Sequence, residues 1–559
     1  LHAVQDRIGY ISEGALTYIC ERLTIPPAEA YGVASGYALL ALEPQPATAV
    51  HVCDDIACMP ANAVELTTEI ARRFGPEGKS NGSSIWQRSP CLGLCDRAPA
   101  AFVQHAGDRT THRQASAASV RIDTALALLE GRWPEQHRDR IPQAGDPRLR
   151  LLRRIGVVDP ESLDSYRAAG GYAALRRAFE LGPAGVLREV AESKLLGRGG
   201  AAFPTGRKWE AVARAPQRRH FLVCNADESE PGTFKDRILM EDDPFALVEA
   251  MTIAAYATGC QQGFLYIRGE YPLARQRMQR AIDEARARGL LGASILGREL
   301  SFDIEIRRGG GAYICGEETA LFNSIEGKRA EPRNKPPFPV DAGLFGKPTV
   351  VNNVETLLNV LDIVVEGGHT YAAIGTNDST GTRLFCLSGA VNRPGLYEAA
   401  FGTTLRQVLE LAGGVRGRMQ AILLGGAAGS FVNADMLDLP LTFEATRAAG
   451  VTLGSGVVMV FDDSVDMSAI VLRIARFFRD ESCGQCVPCR VGTVRQEELL
   501  TRVAAGRPRG SVLQEAGLLA DVGRAMRDAS ICGLGQTASA AAESAWRLGL
   551  LPRNGGQKP

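Results

Sequence analysis

Three cysteines, each separated from the next by two residues, stand in Cys483-Gly-Gln-Cys486-Val-Pro-Cys489, and a fourth follows in Ser530-Ile-Cys532-Gly-Leu-Gly. No other feature constrains the fold as tightly. A loop with thiols at this spacing wraps several sulfurs around one inorganic core, and a distant cysteine closes the cage from a neighbouring element. A structural zinc site also takes four thiolates, but zinc sites usually come as two separated Cys-x-x-Cys pairs. A triplet plus a singlet favours a [4Fe-4S] cluster on Cys483, Cys486, Cys489 and Cys532, in a chain through which electrons pass.

A second thiol set lies near the N-terminus. Cys53 and Cys58 bracket four residues, and Cys91 and Cys95 bracket three. Ala49–Val52 and Ala101–Val103 predict strands, and Ala61–Phe74 carries apolar residues at helical spacing, so both pairs fall on loops at strand ends. Two pairs in loops suit a [2Fe-2S] core, in which each iron takes two thiolates. Zinc, or four plain buried thiols, are the alternatives. The five other cysteines (Cys20, Cys224, Cys260, Cys315 and Cys386) read as small core residues. Clustered spacing with an odd remainder fits a reducing, cytoplasmic setting better than a disulfide framework.

With 559 residues the chain needs several domains, and its 63 basic and 63 acidic side chains cancel. That balance argues against nucleic acid or an anionic membrane as partner. No apolar run reaches bilayer length, and Ala246–Ala257 predicts a buried helix. The chain opens on Leu1 rather than methionine, read here as a processed or omitted N-terminus, with no signal segment.

Between the thiol sets, Gly197-Arg-Gly199-Gly200-Ala-Ala202-Phe203-Pro-Thr-Gly-Arg-Lys208 forms a glycine loop. Its amides can approach a phosphate, with a helix N-terminus behind them, and Arg198 and Lys208 add cations. Ala202 occupies the third glycine position of a dinucleotide fingerprint, where alanine is allowed. Taken singly, such a loop is equally a plain turn. Four further segments add to it: Asn225-Ala-Asp227-Glu228-Ser-Glu230 after an apolar strand, Gly309–Glu318 ending in the paired carboxylates Glu317 and Glu318, the stiff basic-aromatic run Arg333–Pro339, and Asn352-Asn353 at a strand-to-helix junction. Together they offer phosphate donors, hydrogen-bond partners for a flavin ring and aromatic faces for a second ring.

The N-terminal cysteine pairs, preceded by Gly9-Tyr-Ile-Ser12 and Ala30-Tyr-Gly-Val-Ala-Ser35, resemble the thioredoxin-like [2Fe-2S] subunit of respiratory NADH dehydrogenase. One departure is Gly36-Tyr37-Ala38, where that family carries a bulkier Phe-Tyr; it bears on packing and not on the ligands. The run Gly197–Glu355, with the Cys483 triplet and Cys532, resembles the FMN- and NADH-binding flavoprotein subunit of respiratory complex I. Fusions of the two occur in soluble NAD-linked formate dehydrogenases and NAD-reducing hydrogenases. The tail from Phe478 to Cys486, with Met526–Gln536, looks closest to the formate dehydrogenase β subunit.

The resemblance implies a multidomain α/β chain. Residues 1–47 form a helical segment, 48–122 a thioredoxin-like [2Fe-2S] ferredoxin domain, 123–164 a linker, and 165–378 a Rossmann-like FMN/NAD-binding domain. Residues 379–458 form a β-grasp domain, read as a spacer in preference to a ligand-binding unit, and 459–559 a helical bundle holding the [4Fe-4S] cluster. Ser464 is the expected N-cap of that bundle.

By the same resemblance, Gly197, Arg198, Gly199, Gly200 and Lys208 cradle FMN, with Asn225, Asp227 and Glu228 along one edge. Tyr313, Gly316, Glu317, Asn352 and Asn353 complete the pocket. NAD stacks on the flavin with Phe203, Lys335 and Phe338 near its other parts, while Glu230 and Glu318 contact the nucleotide. Such carboxylates accept from ribose hydroxyls and repel a 2′-phosphate, which favours NAD over NADP. No catalytic acid or base is required, because hydride passes directly between the two cofactors; Glu318 has at most an orienting role. Arg490 reads either as a cation for the reduced cluster or as a surface arginine.

The implied function is the diaphorase subunit of a cytoplasmic, hetero-oligomeric NAD-dependent formate dehydrogenase, an electron-transfer oxidoreductase served by a molybdenum or tungsten catalytic subunit, with no nucleic-acid or membrane partner. Partnership with a hydrogenase or respiratory module is the first alternative. A non-catalytic scaffold or redox sensor is the second.

Overall fold

The computed structural model describes residues 1–108, 110–134, 141–217 and 219–552. The middle of the expected linker, 135–140, therefore lies outside the described residues. Strands of the described residues form three sheets.

The first sheet holds β1 (Thr48–Cys53), β2 (Ser84–Ser89), β3 (Ala101–His105) and β4 (Arg113–Ala117) in the order β2-β1-β3-β4. The helices Ala63–Arg73 and Ile122–Leu129 pack on it through Leu66, Ile70 and Leu128 against Val50, Val52 and Trp86. β1 and β2 run parallel with Cys53 opposite Ser89. Both strands therefore leave the sheet at one edge, which brings the Cys53–Cys58 loop to the Cys91–Cys95 loop.

The second sheet is wholly parallel: β5 (Phe221–Ala226), β6 (Gln262–Ile267), β7 (Asp303–Arg308) and β8 (Thr349–Asn353), ordered β7-β6-β5-β8. The chain steps outward from β5 to β7 and then returns to the other side of β5. That reversal creates a crevice at the carboxyl ends of β5 and β8, where open α/β sheets bind ligands.

Behind the sheet runs the helix Pro244–Thr258, buried along nearly its whole length. Its one acid, Glu249, accepts hydrogen bonds from Tyr166 Oη (2.5 Å), Tyr172 N (2.7 Å) and Leu175 N (2.9 Å). Two of these donors open the helix Ala173–Glu192, so the carboxylate fixes the entry of that helix. Glu249→Ala strands all three donors and is expected to cost roughly 3 kcal/mol, measured as a lowered urea midpoint of the isolated chain.

The third sheet contains β9 (Thr382–Gly389), β10 (Gly395–Ala400), β11 (Met419–Leu424), β12 (Ser430–Val432) and β13 (Val457–Asp462), ordered β10-β9-β13-β11-β12. β9 and β13 are parallel and the remaining pairs antiparallel. The helix Leu405–Leu411, opened by a capping box between Thr404 and Gln407, covers the sheet with Leu405, Val408 and Leu409.

The C-terminal bundle is built from Met467–Asp480, Val487–Ala504, Val512–Ala529, Gly533–Thr537 and Ala540–Arg547. Its first helix is capped by Asp466 and not by Ser464: the Asp466 carboxylate accepts from Ser468 N and Ala469 N. At Ser464 the chain is still turning, and that hydroxyl bonds back to Asp462. No helix among the described residues is long and apolar enough to cross a membrane.

Candidate functional site

Cys53, Cys58, Cys91 and Cys95 are all buried, with Cys91 Sγ 3.3 Å from Cys95 Sγ. Asp55, buried inside the first thiol loop, locks the two loops together: its Oδ1 accepts from Ile56 N (2.8 Å) and its Oδ2 from Cys91 N (3.1 Å). Arg473, on the first bundle helix, donates to Asp54 O at 3.3 Å from outside. The hydrogen bond with Cys58, and burial, hold the Cys53 thiol well above its ordinary range. A thiolate set in so apolar a place needs metal to displace its protons, so the donors fit an iron–sulfur core.

The other four thiols line one recess together with Ile314, Pro332 and Leu534. Cys486 caps the helix Val487–Ala504, Cys489 lies in its first turn, and Cys532 precedes Gly533–Thr537. A Cβ on Gly535 would stand 2.9 Å from Cys489 Cβ, so only glycine lets the last turn close under the cage. Burial pushes the Cys489 thiol up to about 11 and that of Cys532 to about 12. These thiols also fit a metal-bound core. Arg490 donates to Gly484 O at 2.6 Å and so braces the triplet loop from its exposed side.

At the crevice between β5 and β8, the glycine loop closes on itself through Gly197 N to Phe203 O (2.9 Å). Gly200 has φ +117°, a conformation side chains disfavour, and a Cβ on Gly199 would approach Asn353 Cβ to 3.2 Å. The loop thus lies directly against the end of β8. Lys208 donates to Val351 O (2.8 Å) and stands 3.8 Å from Glu318. Lys335 bridges Glu317 (3.1 Å) and Glu318 (2.9 Å). Glu317 caps the helix Glu318–Ile325 through Thr319 N and Ala320 N. Phe203 and Phe338 present exposed rings.

Asn225 Nδ2 donates to Gly316 O (2.8 Å), and Trp209 Nε1 donates to Asn352 Oδ1 (2.8 Å). Asp227 Oδ2 is buried with no hydrogen-bond partner, and a Cβ on Gly316 would come within 3.7 Å of it. An orphaned carboxylate oxygen beside a glycine is what a planar hydrogen-bonding ring such as flavin would satisfy, so these residues fit FMN. Glu230 accepts from Tyr313 Oη (2.5 Å) and Ala428 N (2.7 Å), and burial raises it to about 7.

Two side chains expected at the flavin are engaged by other groups of the protein. The Arg198 guanidinium is fully buried and donates to Leu196 O, Tyr371 Oη, Thr380 O and Thr382 O. It braces the β-grasp junction and adds no free cation to the loop. The Glu228 carboxylate turns inward to cap the helix Lys235–Asp242 through Asp236 N (2.8 Å) and Arg237 N (3.0 Å), so both its oxygens are engaged there.

Two groups had no signal strong enough to single them out from the residues alone. Lys235, buried, reaches Asp236 (2.7 Å), Glu355 (3.2 Å) and Asn353 Oδ1 (3.2 Å), and so fixes the Asn353 amide. The β-grasp unit is more than a spacer. Its loops pack Gly426 and Ala428 on Glu230, Ser455 on Thr233 (2.7 Å) and Gly454 near Gly200. The run Gly425-Gly-Ala-Ala-Gly429 was the available signal.

Two thiol cages flanking a flavin crevice define an electron-transfer flavoprotein with iron–sulfur centres. Residues 190–362 match the Nuo51 FMN-binding domain, and residues 469–548 match the NADH-ubiquinone oxidoreductase-F iron-sulfur binding region. Residues 1–122 match the thioredoxin-like [2Fe-2S] ferredoxin, and residues 384–424 the SLBB domain. The chain is 36% identical over 549 residues to the NAD-reducing hydrogenase HoxS subunit alpha of Cupriavidus necator, covering 96% of this chain and 87% of that one. It is 48% identical over 373 residues to the F 2 subunit of the NADH-quinone oxidoreductase of Rhizobium meliloti, covering 66% and 89%. A solved NAD+-reducing [NiFe]-hydrogenase in the H2-reduced state superposes with TM-score 0.85 at 33% identity, covering 98% of this chain and 91% of that one. The chain therefore belongs to the family of NADH-quinone oxidoreductase F subunits and NAD-reducing hydrogenase alpha subunits. Its cofactors are FMN, NAD, one [2Fe-2S] and one [4Fe-4S] cluster.

Proposed function

We propose that this chain is the diaphorase subunit of a larger NAD-linked oxidoreductase, passing electrons between NAD(H) and a separate catalytic subunit. The observation that carries this reading is Tyr313. Its hydroxyl donates to Glu230 in the flavin crevice, and its amide donates to Glu481 (2.8 Å), two residues before Cys483. Its ring also packs on Phe477 at 5.1 Å. One residue thus ties the flavin crevice to the [4Fe-4S] cage.

In this reading the loop that begins at Gly197 holds the FMN phosphate through the amides of Gly199 and Gly200, with Lys208. Asn225, Asp227, Gly316, Glu317, Asn352 and Asn353 orient the ring. Phe203, Phe338 and Lys335 receive NAD, with Glu318 and Glu230 as contacts to the nucleotide. Bound FMN supplies hydride exchange with NAD and single-electron exchange with the clusters. The protein sets distance and orientation.

Similarity along nearly the whole chain to a NAD-reducing hydrogenase subunit supports a nickel-containing partner over the formate dehydrogenase partner. The latter rests on the Phe478–Cys486 and Met526–Gln536 segments and on the intact set Cys53, Cys58, Cys91 and Cys95. Affinity purification of the complex with metal analysis decides between them. Nickel in the co-purifying subunit supports the hydrogenase partner, whereas molybdenum or tungsten with formate-driven NAD reduction restores the formate dehydrogenase reading. A chain that purifies alone and lacks NADH–ferricyanide activity overturns both.

A further inference from the structure

Arg268 follows the carboxyl end of β6 and is almost completely buried. Its guanidinium reaches two sites at once: Nη2 donates to Cys91 O (2.6 Å) in the [2Fe-2S] loop, and Nη1 donates to Glu228 O (2.7 Å) in the loop that carries Asp227. Glu270 is its counter-charge, with carboxylate oxygens 3.0 and 3.2 Å from Nη2 and Nε. Beneath it Tyr271 lies 5.0 Å away in cation–π contact, with its hydroxyl where a Gly93 side chain would be. A second buried arginine, Arg237, donates to Gly93 O (3.0 Å) but is balanced by Asp96 (3.2 Å) and Glu241 (3.1 Å). Within ion-pair distance Arg268 has one carboxylate and Arg237 has two, and the carboxylates of Asp227 and Glu481 also feel the charge of Arg268.

We propose that Arg268 is a positioning residue that clamps the [2Fe-2S] loop to the flavin loop and sets the reduction potential of that cluster, with Glu270 as its opposing partner. Reduction adds one negative charge to a four-thiolate core. A permanent cation bonded to the ligand loop in a dry interior favours that charge, and the adjacent carboxylate opposes it. The two side chains must therefore move the potential in opposite directions, an outcome that a purely structural clamp does not produce.

The inference deepens the diaphorase reading but is tested independently of NADH. The full-length, cluster-loaded chain is titrated with dithionite and mediators, and the [2Fe-2S] EPR signal is followed with the [4Fe-4S] signal as internal reference. Arg268→Met is expected to lower the [2Fe-2S] reduction constant at least tenfold, which is about 59 mV for one electron. Arg268→Lys restores most of it, and Glu270→Gln raises it at least threefold. Should Arg268→Met fail to hold the cluster, Glu270→Gln alone decides. A [2Fe-2S] midpoint unchanged in Glu270→Gln, or shifted the same way in both variants, overturns the proposal. Absence of NADH oxidation in the unsubstituted, flavin-loaded chain, with these shifts intact, would instead count against the diaphorase reading.

Discussion

Cys532→Ala is expected to abolish the [4Fe-4S] centre while leaving the flavin crevice in place. Cys532 is the one ligand outside the triplet loop, held at the turn after Val512–Ala529 by a chain path independent of Cys483, Cys486 and Cys489. The amides of Leu534 and Gly535 point at its sulfur and oppose the upward push of burial. The site is therefore shaped for an anionic sulfur that only metal can generate there. Removing it leaves three thiols that cannot close the cage. Cluster affinity should fall by more than the roughly 100-fold expected for a lost supporting contact. The bundle itself should persist, because Leu499, Leu500, Leu519 and Met526 are buried in its core and none of them is a cluster ligand. The measurement is iron content with EPR: about two irons per chain instead of about six, a retained [2Fe-2S] signal and retained NADH–ferricyanide turnover. Full iron content would show that Cys532 is not a ligand.

Gly200→Val should have the second large effect. Gly200 sits at φ +117° with Gly454 3.7 Å from its would-be Cβ, so room exists but the backbone conformation does not suit a branched residue. Forcing such a residue there costs about 1–3 kcal/mol, and the loop can relax only by moving its amides away from the phosphate. That corresponds to a loss of FMN affinity on the order of 10- to 100-fold. Flavin retained after gel filtration, with iron content as folding control, reads the effect. A stoichiometric flavin complement in the variant would mean that this loop does not carry the phosphate.

The thiol cages were legible in the sequence because metal ligation imposes short, fixed spacings on a loop, and Cys483–Cys489 satisfies them locally. The strand-to-helix junction at Asn352-Asn353 was equally local, as was the buried helix Pro244–Thr258, which the apolar run Ala246–Ala257 announces. What escaped depends on where long side chains end. Arg198 lies in a phosphate-type loop, yet its guanidinium crosses into the β-grasp junction to satisfy backbone carbonyls. Glu228 sits among ligand-like acids but is drawn away by the free amides of a helix eight residues later. Arg268 has no motif around it and acquires its place only when two sheets from distant parts of the chain meet. The β-grasp loops at Gly426 and Gly454 reach the crevice for the same reason.

The central claim is that one chain holds a flavin crevice and two clusters that NADH can reduce. The most direct measurement is an anaerobic NADH titration of the isolated chain, followed by absorbance and EPR with flavin and iron counts. The predicted result is flavin bleaching with one [2Fe-2S] and one [4Fe-4S] signal. A protein without flavin or iron, or one whose clusters stay oxidised while the flavin bleaches, would contradict it.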